Sequence, residues 1–316
     1  MFRITADGKD LTDRIRQRLV NLTVKDGSGL ESDCIQLHLF DDPPLDPPRE
    51  GTRIEIALGY NGHLFDVGRY ASRPISLKGP PAIVTVEASV LDCFPTLLEP
   101  KKRSWRPDTL TSVISRLAKE NGLIPSVDKS CDLIQIPHED QTESDSAFLA
   151  RIADHYECIY KVQRDHLIFY DRASKVTPSG SSIRPEKIKG IVDYEFKYSR
   201  EQIYSGVKAS WWGHGATKHR TVLAGKEGKV FVLKFLLKDE ASARDAAEAK
   251  LRKLKRLSTN LTFSIPGNPL LFSGGRCLIE KVHPLLNREW VIASVEHTLD
   301  NNGFISKVTA EGNASL

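Results

Sequence analysis

Apolar and polar residues alternate along several short segments in the first hundred residues of the chain. Between positions 33 and 40, for example, Ile35, Leu37 and Leu39 alternate with polar residues. A period of two places successive side chains on opposite faces of a β-strand, so that one face is buried and the other meets water. The pattern therefore predicts half-buried antiparallel strands over residues 18–25, 33–40, 53–58 and 82–90.

Turn-forming residues separate these segments and keep each predicted strand short. They are Asp26-Gly27-Ser28-Gly29, Pro43-Pro44, Pro47-Pro48, Asn61-Gly62 and Gly79-Pro80-Pro81. Several short strands separated by such turns favour a small antiparallel barrel or a sandwich. We therefore predict a first β-barrel domain over about residues 1–100.

Helical periodicity replaces the alternation in the next part of the chain. A stripe of apolar residues at i, i+3 and i+4 spacing predicts a helix over residues 110–121, with Asp108 or Thr109 as its N-cap. Gly122 is suited to end this helix, because glycine readily takes the left-handed conformation just past a helix terminus. The predicted β segment of the first hundred residues is therefore followed by a segment that contains helix.

A second helix is predicted to begin near Ser144-Asp145, with an apolar face formed by Phe148, Leu149, Ile152, Ala153 and Tyr156. A β-hairpin over residues 158–163 and 167–171 is predicted to follow it. Residues 173–186 have the Ser-, Gly- and Pro-rich composition of a linker. We predict a compact α+β middle domain, with its linker, over about residues 101–185.

Strands return after the predicted linker, near residues 191–198, 204–212, 219–224, 229–236, 259–265, 276–282, 289–299 and 303–311. One long helix, from Asp239 to about Leu257, interrupts them. Two i, i+4 ion pairs are predicted on this helix, Glu240 with Arg244 and Glu248 with Arg252. These residues predict a second β-barrel domain over about 186–316, and the whole fold is expected to be a β-dominated, multidomain α+β protein.

The charge balance argues against nucleic acid or an anionic membrane as the partner. The chain has 316 residues, with 45 Lys and Arg against 41 Asp and Glu, which gives a net charge of +4. That excess of positive charge is too small to indicate a surface that binds a phosphate backbone.

The five cysteines, Cys34, Cys93, Cys131, Cys158 and Cys277, are far apart and form no C-x-x-C pair. We expect reduced thiols in a protein made in a cytoplasm, and no zinc site.

The first residues of the chain lack the apolar core of a signal peptide. No apolar run approaches the roughly 18–20 residues of a membrane-spanning helix. We therefore expect neither export by a cleaved Sec signal nor a membrane anchor.

The densest group of ionisable residues is His138, Glu139, Asp140, Glu143 and Asp145. Such a group could hold a metal ion or act in acid–base chemistry. It matches neither the H-E-x-x-H pattern nor the EF-hand pattern, however. The interpretation we favour is a solvated loop that leads into a helix, with Ser144 or Asp145 as the N-cap.

The strongest basic run is Lys250, Arg252, Lys253, Lys255 and Arg256. It could contact phosphates, but cations near a helix C-terminus are favoured in any protein, so an ordinary solvent-exposed face of the helix is expected.

The motif Trp211-Trp212-Gly213-His214-Gly215 could stack a ligand. Adjacent strand residues face opposite sides, which instead predicts one tryptophan in the core and the other at a surface.

No other pattern of a catalytic or cofactor site is present. Gly51 and Gly274-Gly275 belong to no dinucleotide or P-loop motif, and no G-x-S-x-G occurs. We therefore predict no catalytic, cofactor-binding or metal-binding residues and no enzymatic activity.

A set of motifs spread along the chain makes it similar to a known family. The most specific stretch is Ser104-Trp105, Thr109-Leu110, Gly122-Leu123 and His138-x-Asp140-Gln141-Thr142-Glu143-Ser144-Asp145-x-x-Phe148-Leu149-x-Arg151. Matching features at the two ends are Asp10-Leu11-Thr12-Asp13-Arg14, Ser32-Asp33, Gly267-Asn268-Pro269, Trp290-x-Ile292 and Asn302-Gly303-Phe304. On these residues the chain resembles the phage late control D family, the tail hub proteins of contractile-tailed phages. That family is related in fold to the hub of T-even phages and to the N-terminal part of type VI secretion valine-glycine repeat spike proteins.

The resemblance implies a structural role in the virion, at the tail baseplate. Hubs of this family carry two similar tube-type β-barrel domains, so three chains would present six barrels. A homotrimer could then join the hexameric tail tube to the trimeric spike. The implied partners are other copies of the chain, the spike protein and the tail tube protein, with tape measure and baseplate wedge proteins as further candidates, and no membrane or specific nucleic acid.

Two rival functions remain open at this point. The hub of a tailocin or of another contractile injection system would have the same sequence features, and genomic neighbourhood would separate the two. A tail-associated cell-wall hydrolase would need paired carboxylates in a cleft, and no lysozyme-like domain follows the last predicted strand. A regulator of late genes, which the family name suggests, would need a helix-turn-helix with a basic recognition helix, and none is predicted.

Overall fold

The computed structural model describes residues 1–29, 33–60, 62–136, 138–172, 174–199, 204–211, 219–237 and 239–312. The described part of the first hundred residues contains one short α-helix, α1, at Thr12–Arg16, and two 3-10 helices, at Leu91–Cys93 and Pro95–Leu97. Its strands are β1 Phe2–Ala6, β2 Lys9–Asp10, β3 Leu19–Asp26, β4 Cys34–Phe40, β5 Arg53–Tyr60, β6 His63–Ser72, β7 Ser76–Lys78 and β8 Ile83–Ser89. All four strands predicted here are confirmed, and Ile35, Leu37 and Leu39 are buried as the alternation required. Asn61 of the predicted turn and Ser32 lie outside the described residues.

The next segment combines small sheets with two helices. Its strands are β9 Arg103–Trp105, β10 Asp108–Thr109, β11 Ile124–Val127, β12 Gln135–Ile136, β13 Glu139–Gln141, β14 Cys158–Gln163 and β15 His166–Asp171. The helices are α2 Leu110–Glu120 and α3 Asp145–His155, and both were predicted. Thr109 Oγ1 accepts a hydrogen bond from the N–H of Ser112, and Ser144 Oγ accepts one from Ala147, so each helix begins with a side-chain cap.

The remaining strands are β16 Glu186–Lys187, β17 Asp193–Tyr198, β18 Gly206–Trp211, β19 Arg220–Gly225, β20 Val230–Leu237, β21 Thr259–Pro266, β22 Arg276–Leu278, β23 Glu289–Asp300 and β24 Gly303–Glu311. The predicted long helix is confirmed as α4, Glu240–Leu257, with Asp239 as its N-cap. Of the two ion pairs predicted on it, the pair of Arg244 with Glu240 is present at 3.0 Å. The pair of Glu248 with Arg252 is not among the ion pairs of the described residues, so that prediction was wrong.

The main sheet has 14 strands and crosses from the first part of the chain to the last. Its longest path runs β17-β21-β24-β23-β3-β4-β8-β6-β5-β1-β2. The crossing point is the antiparallel pairing of β23 with β3, from Val295 opposite Asp26 to Asp300 opposite Asn21. The fold is β-dominated, as predicted. Within the described residues, however, no pairing closes the sheet, so the two closed barrels are not confirmed; β3 uses its free edge to pair with β23.

The largest hydrophobic core extends from the strands of the first hundred residues into α2, α3, β14 and β15. A second core surrounds Trp290 in the sheet formed by β21, β23 and β24. A third lies where α4 packs on the small sheet β19-β18-β20, with Ala243, Ala247 and Leu251 facing the strands. These three apolar residues are four positions apart along α4, so they lie on one face of the helix, and that face makes the contact.

The predicted linker is folded back on itself in its described part, residues 174–186. The N–H of Thr177 donates to the carbonyl of Ser181 at 2.8 Å, and the N–H of Ile183 donates to the carbonyl of Lys175 at 2.7 Å. Ile183 is buried against Ile159 and Tyr170. Composition identifies this segment as turn-rich but cannot show that one isoleucine anchors it to the preceding hairpin.

Candidate functional site

A buried lysine lies where three distant stretches of the chain meet. Lys161 is on β14, a strand buried on both faces except at its last residue. Its Nζ is 2.7 Å from Oδ1 of Asp26, the last residue of β3, and 3.1 Å from Oδ2 of Asp33, next to β4. Oδ1 of Asp26 also accepts a hydrogen bond from the N–H of Ser273 at 2.8 Å. These residues form what we name the Lys161 cluster: Lys161, Asp26, Asp33 and Ser273.

The charges of the Lys161 cluster do not balance, because two carboxylates share one ammonium group. Burial and, to a smaller extent, the charge of Asp26 raise the pKa of Asp33 to about 7, against the opposing effect of Lys161. Burial by itself would lower the pKa of Lys161, but Asp26 and Asp33 raise it well above its usual range. A buried charge that loses its partner is costly, so the cluster holds these three stretches together.

A second buried ion pair ties α4 to the rest of the molecule. The guanidinium of Arg256 lies 3.2 Å from Oε1 of Glu157 and also contacts Glu311 on β24. Burial would lower the pKa of Arg256, but the charges of Glu311 and Glu157 raise it. Glu157 has a φ of +55°, an unusual backbone conformation for a residue other than glycine, directly after α3.

Two other members of the basic run are also engaged within the protein. Lys253 pairs with Asp154, and Nζ of Lys250 lies 4.9 Å from the ring centre of Phe231. The expectation of an ordinary exposed face was therefore wrong for three of its five residues. The positive charges of Lys250, Lys253 and Arg256 meet groups of this chain, which weakens the phosphate-contact interpretation for these three residues.

The polar cluster predicted around the start of α3 is split by the structure. His138 and Asp140 are exposed and 3.3 Å apart. Glu139 and Glu143 both pair with Arg151, at 3.0 and 2.9 Å. Ser144 is the N-cap of α3, so the structure selects it from the two predicted candidates, Ser144 and Asp145. These residues form the polar segment that leads into α3, as predicted. Their side chains do not meet at one place where they could form a metal or acid–base site.

Asp145 departs from that prediction, because it is fully buried. Its carboxylate accepts hydrogen bonds from Lys101 at 2.5 Å, from Asn121 and Gln141 at 2.8 Å each, and from Arg103. Burial would raise the pKa of Asp145, but these hydrogen bonds and the charge of Arg103 lower it. The solvated-loop interpretation was wrong for this residue, since the first turn of α3 faces two cations from the preceding chain.

Two glycines mark close approaches that no sequence motif identified. A Cβ built on Gly274 would lie 2.0 Å from Oη of Tyr170, and its φ of +83° disfavours other residues. A Cβ on Gly267 would lie 2.3 Å from the ring of Phe304. The ring of Phe304 in turn packs on Tyr60, with centres 5.5 Å apart. Each glycine lets distant parts of the chain touch.

The remaining candidate residues are placed as follows. Trp211 is buried, in agreement with the prediction of one core tryptophan, while residues 212–218 lie outside the described part. All five cysteines are free thiols, and Cys131, Cys158 and Cys277 are buried. Within the described ranges, no group of three or more His, Cys, Asp and Glu side chains could hold a metal ion. No described helix is both long and apolar enough to cross a membrane.

Comparisons with known proteins agree on one family. The family model of the phage tail baseplate hub (GPD) matches residues 97–303. The probable baseplate hub protein of Escherichia phage 186 is 27% identical, over 98% of this chain and 92% of that protein.

Solved structures show that the fold is shared as well. A 43 kDa tail protein of prophage MuSo2 from Shewanella oneidensis has a TM-score of 0.71 at 14% identity, over 98% of this chain and 97% of that one. A component of the E. coli type VI secretion system has a TM-score of 0.62 at 10% identity, over 99% and 77%. The chain belongs to the phage tail baseplate hub family, the structural proteins at the base of contractile tails.

Proposed function

We propose that this hub protein acts as a homotrimeric adapter that joins the hexameric tail tube to a trimeric spike. Three copies would present six β units, two from each chain, and so would match the sixfold tube to the threefold spike. In this proposal, residues 1–100 and 186–316 form the two tube-type barrel domains, and residues 101–185 form the α+β domain between them. The protein would be made in the host cytoplasm and assembled into the virion.

The observation that carries the proposal is the pairing of β3 with β23. It aligns the first and last β segments in one continuous sheet, so that a single chain supplies two β units side by side. The Lys161 cluster lies at the end of this pairing, since Asp26 is also the partner of Val295. The two units are therefore fixed relative to each other by the backbone hydrogen bonds of this pairing and by the hydrogen bond from the N–H of Ser273 to Asp26, while Lys161 attaches the α+β segment to the same point.

The free edge of the sheet supports contact between copies. Within the described ranges, strand β17 pairs with β21 alone, and most of its side chains are exposed, including Tyr194 at 48%. Unpaired edge strands are templates for association and are usually covered in the functional state. A ring of three copies would cover this edge.

Measurement of molar mass by light scattering tests the proposal. We expect a monomer for the protein alone and a complex with three hub chains once the trimeric spike protein is added, because the spike templates the ring. An unrelated trimeric protein in place of the spike serves as the control and should leave the monomer unchanged. A stable dimer or hexamer, both with and without the spike, would refute the adapter.

We also propose that the chain carries no catalytic activity of its own. All five ionisable residues around the start of α3 have partners within the protein, and so do Lys250, Lys253 and Arg256 of the basic run. A cell-wall degradation assay with the purified protein tests this, and sustained turnover of peptidoglycan would overturn it.

A further inference from the structure

A cavity of about 360 Å³ lies where the end of β15, the second half of α4, β22 and the last two strands come together. Its walls contain an unusual concentration of guanidinium groups, from Arg172, Arg252, Arg256, Arg276 and Arg288. Four acidic residues also line it, Glu157, Asp171, Glu289 and Glu311. The cations therefore outnumber the carboxylates.

Two of the arginines already engage three of these carboxylates. Arg256 pairs with both Glu157 and Glu311, and Arg276 lies 2.6 Å from Glu289. Within the described residues, neither Arg172 nor Arg252 is in ion-pair distance of a carboxylate. The lining thus holds positive charge in excess of what its own acids neutralise.

Arg172 is one of the two arginines that carry this excess positive charge. Its Nε is buried and has no hydrogen-bond partner among the described residues. Burial lowers the pKa of Arg172, and the charge of Arg256 lowers it further, although Glu311 and Glu157 oppose both effects. A buried N–H donor without an acceptor is costly, so an acceptor placed in the cavity would stabilise the protein.

The far wall of the cavity is held in a fixed orientation. The guanidinium of Arg288 stacks on Trp290 at 4.2 Å from the ring centre, and Trp290 is itself buried. Stacking keeps the planar group in place without using its N–H donors. Planar guanidinium groups match the oxygen spacing of phosphate and carboxylate, to which they donate paired hydrogen bonds.

We propose that this cavity binds a small oxyanion of the phosphate or carboxylate class, with Arg172 and Arg252 as its main donors. Arg172 would donate from the buried end of the cavity and Arg252 from the exposed surface of α4. The inference goes beyond the adapter role and is independent of it, since the site lies within one chain.

Isothermal titration calorimetry of the full chain with inorganic phosphate, at constant ionic strength and neutral pH, tests the site. A parallel titration with citrate separates the two ligand classes. The variants are Arg172→Gln and Arg252→Gln, and the matched control is Arg14→Gln, which removes one exposed arginine from α1. Because Arg252 is exposed, Arg252→Gln keeps the test valid if Arg172→Gln does not fold.

We expect saturable binding of phosphate, citrate or both to the wild type, with the same affinity in Arg14→Gln. Loss of a charge-assisted hydrogen bond should weaken binding about tenfold in each of the other two variants. Binding of phosphate alone or of citrate alone would support the site and assign its ligand class. Absence of saturable binding of either anion, or unchanged affinity in every variant that folds, would overturn the proposal.

Discussion

Lys161 lies 2.7 Å from a carboxylate oxygen of Asp26, and that same oxygen accepts the backbone N–H of Ser273. The lysine comes from the α+β segment, the aspartate from the first β segment and the serine from the last. Asp33 completes the cluster at 3.1 Å from the ammonium group. The hydrogen bond from Ser273 therefore joins the same two β segments as the β3–β23 pairing, and the ion pair attaches the α+β segment to that junction.

Removal of the ammonium group should destabilise the whole chain. Lys161→Met keeps the length of the side chain but leaves two buried carboxylates without a cation. Breaking a buried ion pair in this way costs about 3–5 kcal/mol. Urea denaturation followed by circular dichroism should show a loss of this size in the free energy of unfolding.

Lys25→Met is the matched control for that experiment. Lys25 pairs with Glu296 at 3.2 Å, but its side chain is 58% exposed. Exposed ion pairs contribute about 0–1 kcal/mol, so this variant should unfold near the wild-type midpoint. Equal stability of the Lys161 and Lys25 variants would show that the Lys161 cluster does not hold the junction.

Asp33 should give the stability of the protein a distinctive dependence on pH. Its pKa is about 7 in the folded chain, above the ordinary value of 3.8, because it is buried beside Asp26. The folded state therefore holds a proton that the unfolded state releases. The contribution of this group to stability is complete below about pH 4 and is lost as the pH rises to 7.

Replacement of Asp33 by asparagine isolates this effect from the other carboxylates. The free energy of unfolding of Asp33→Asn, minus that of the wild type, should increase between pH 4 and 7 and then stay level. Asp13→Asn, which removes an exposed carboxylate of α1 instead, is the matched control. A difference for Asp33→Asn that falls with rising pH would contradict the assignment.

Gly274 is required for the contact between its loop and the β14–β15 hairpin. Gly274→Ala would place a methyl group 2.0 Å from Oη of Tyr170, at a φ of +83°. Gly180→Ala is the matched control, with a φ of +88° and no atom within 4 Å. The control should lose about 1–2 kcal/mol from backbone strain alone, and Gly274→Ala should lose about 1–3 kcal/mol more from overpacking.

Thermal unfolding of the two glycine variants measures this difference. Tyr170→Phe in the Gly274→Ala background removes the hydroxyl that causes the overlap and should recover part of the lost stability. Equal losses in the two single variants would show that the loop can move away from Tyr170 at little cost.

Local sequence patterns were sufficient to place most strands and all three long helices. The caps at Thr109, Ser144 and Asp239 follow from side chains that hydrogen-bond their own backbone three residues on, so nothing distant is needed to predict them. Amphipathic alternation likewise depends on neighbours along the chain. It does not specify which strands pair, and the junction of β3 with β23 joins residues about 270–280 positions apart in the sequence.

The buried charges were missed for a related reason. At the sequence level, Asp145 is one acidic residue in the first turn of a helix, a position usually exposed and favoured by the helix dipole. Its burial depends on Lys101 and Arg103, which reach it only when β9 is paired with β13. The burial of Lys161 could not be predicted for the same reason. A lysine within a strand is expected to be exposed, and only the fold brings Asp26 and Asp33 beside it.

The aromatic pair Trp105 and Phe148 should act through folding. Their rings are stacked, with centres 5.7 Å apart and planes 10° apart, and both side chains are buried. Trp105→Ala and Phe148→Ala should each cost about 3–5 kcal/mol. The control is Leu77→Ala, whose side chain is 61% exposed and whose loss should be small.

Assembly with the spike protein separates a folding role from an interface role for this pair. If the two aromatic residues serve the core, loss of the complex with the spike should parallel loss of folded, soluble protein in both variants. The double variant should lose less stability than the sum of the single losses, because each single change already removes the shared ring contact. A Trp105→Ala protein that keeps wild-type stability yet fails to form the complex would instead assign this residue to an interface.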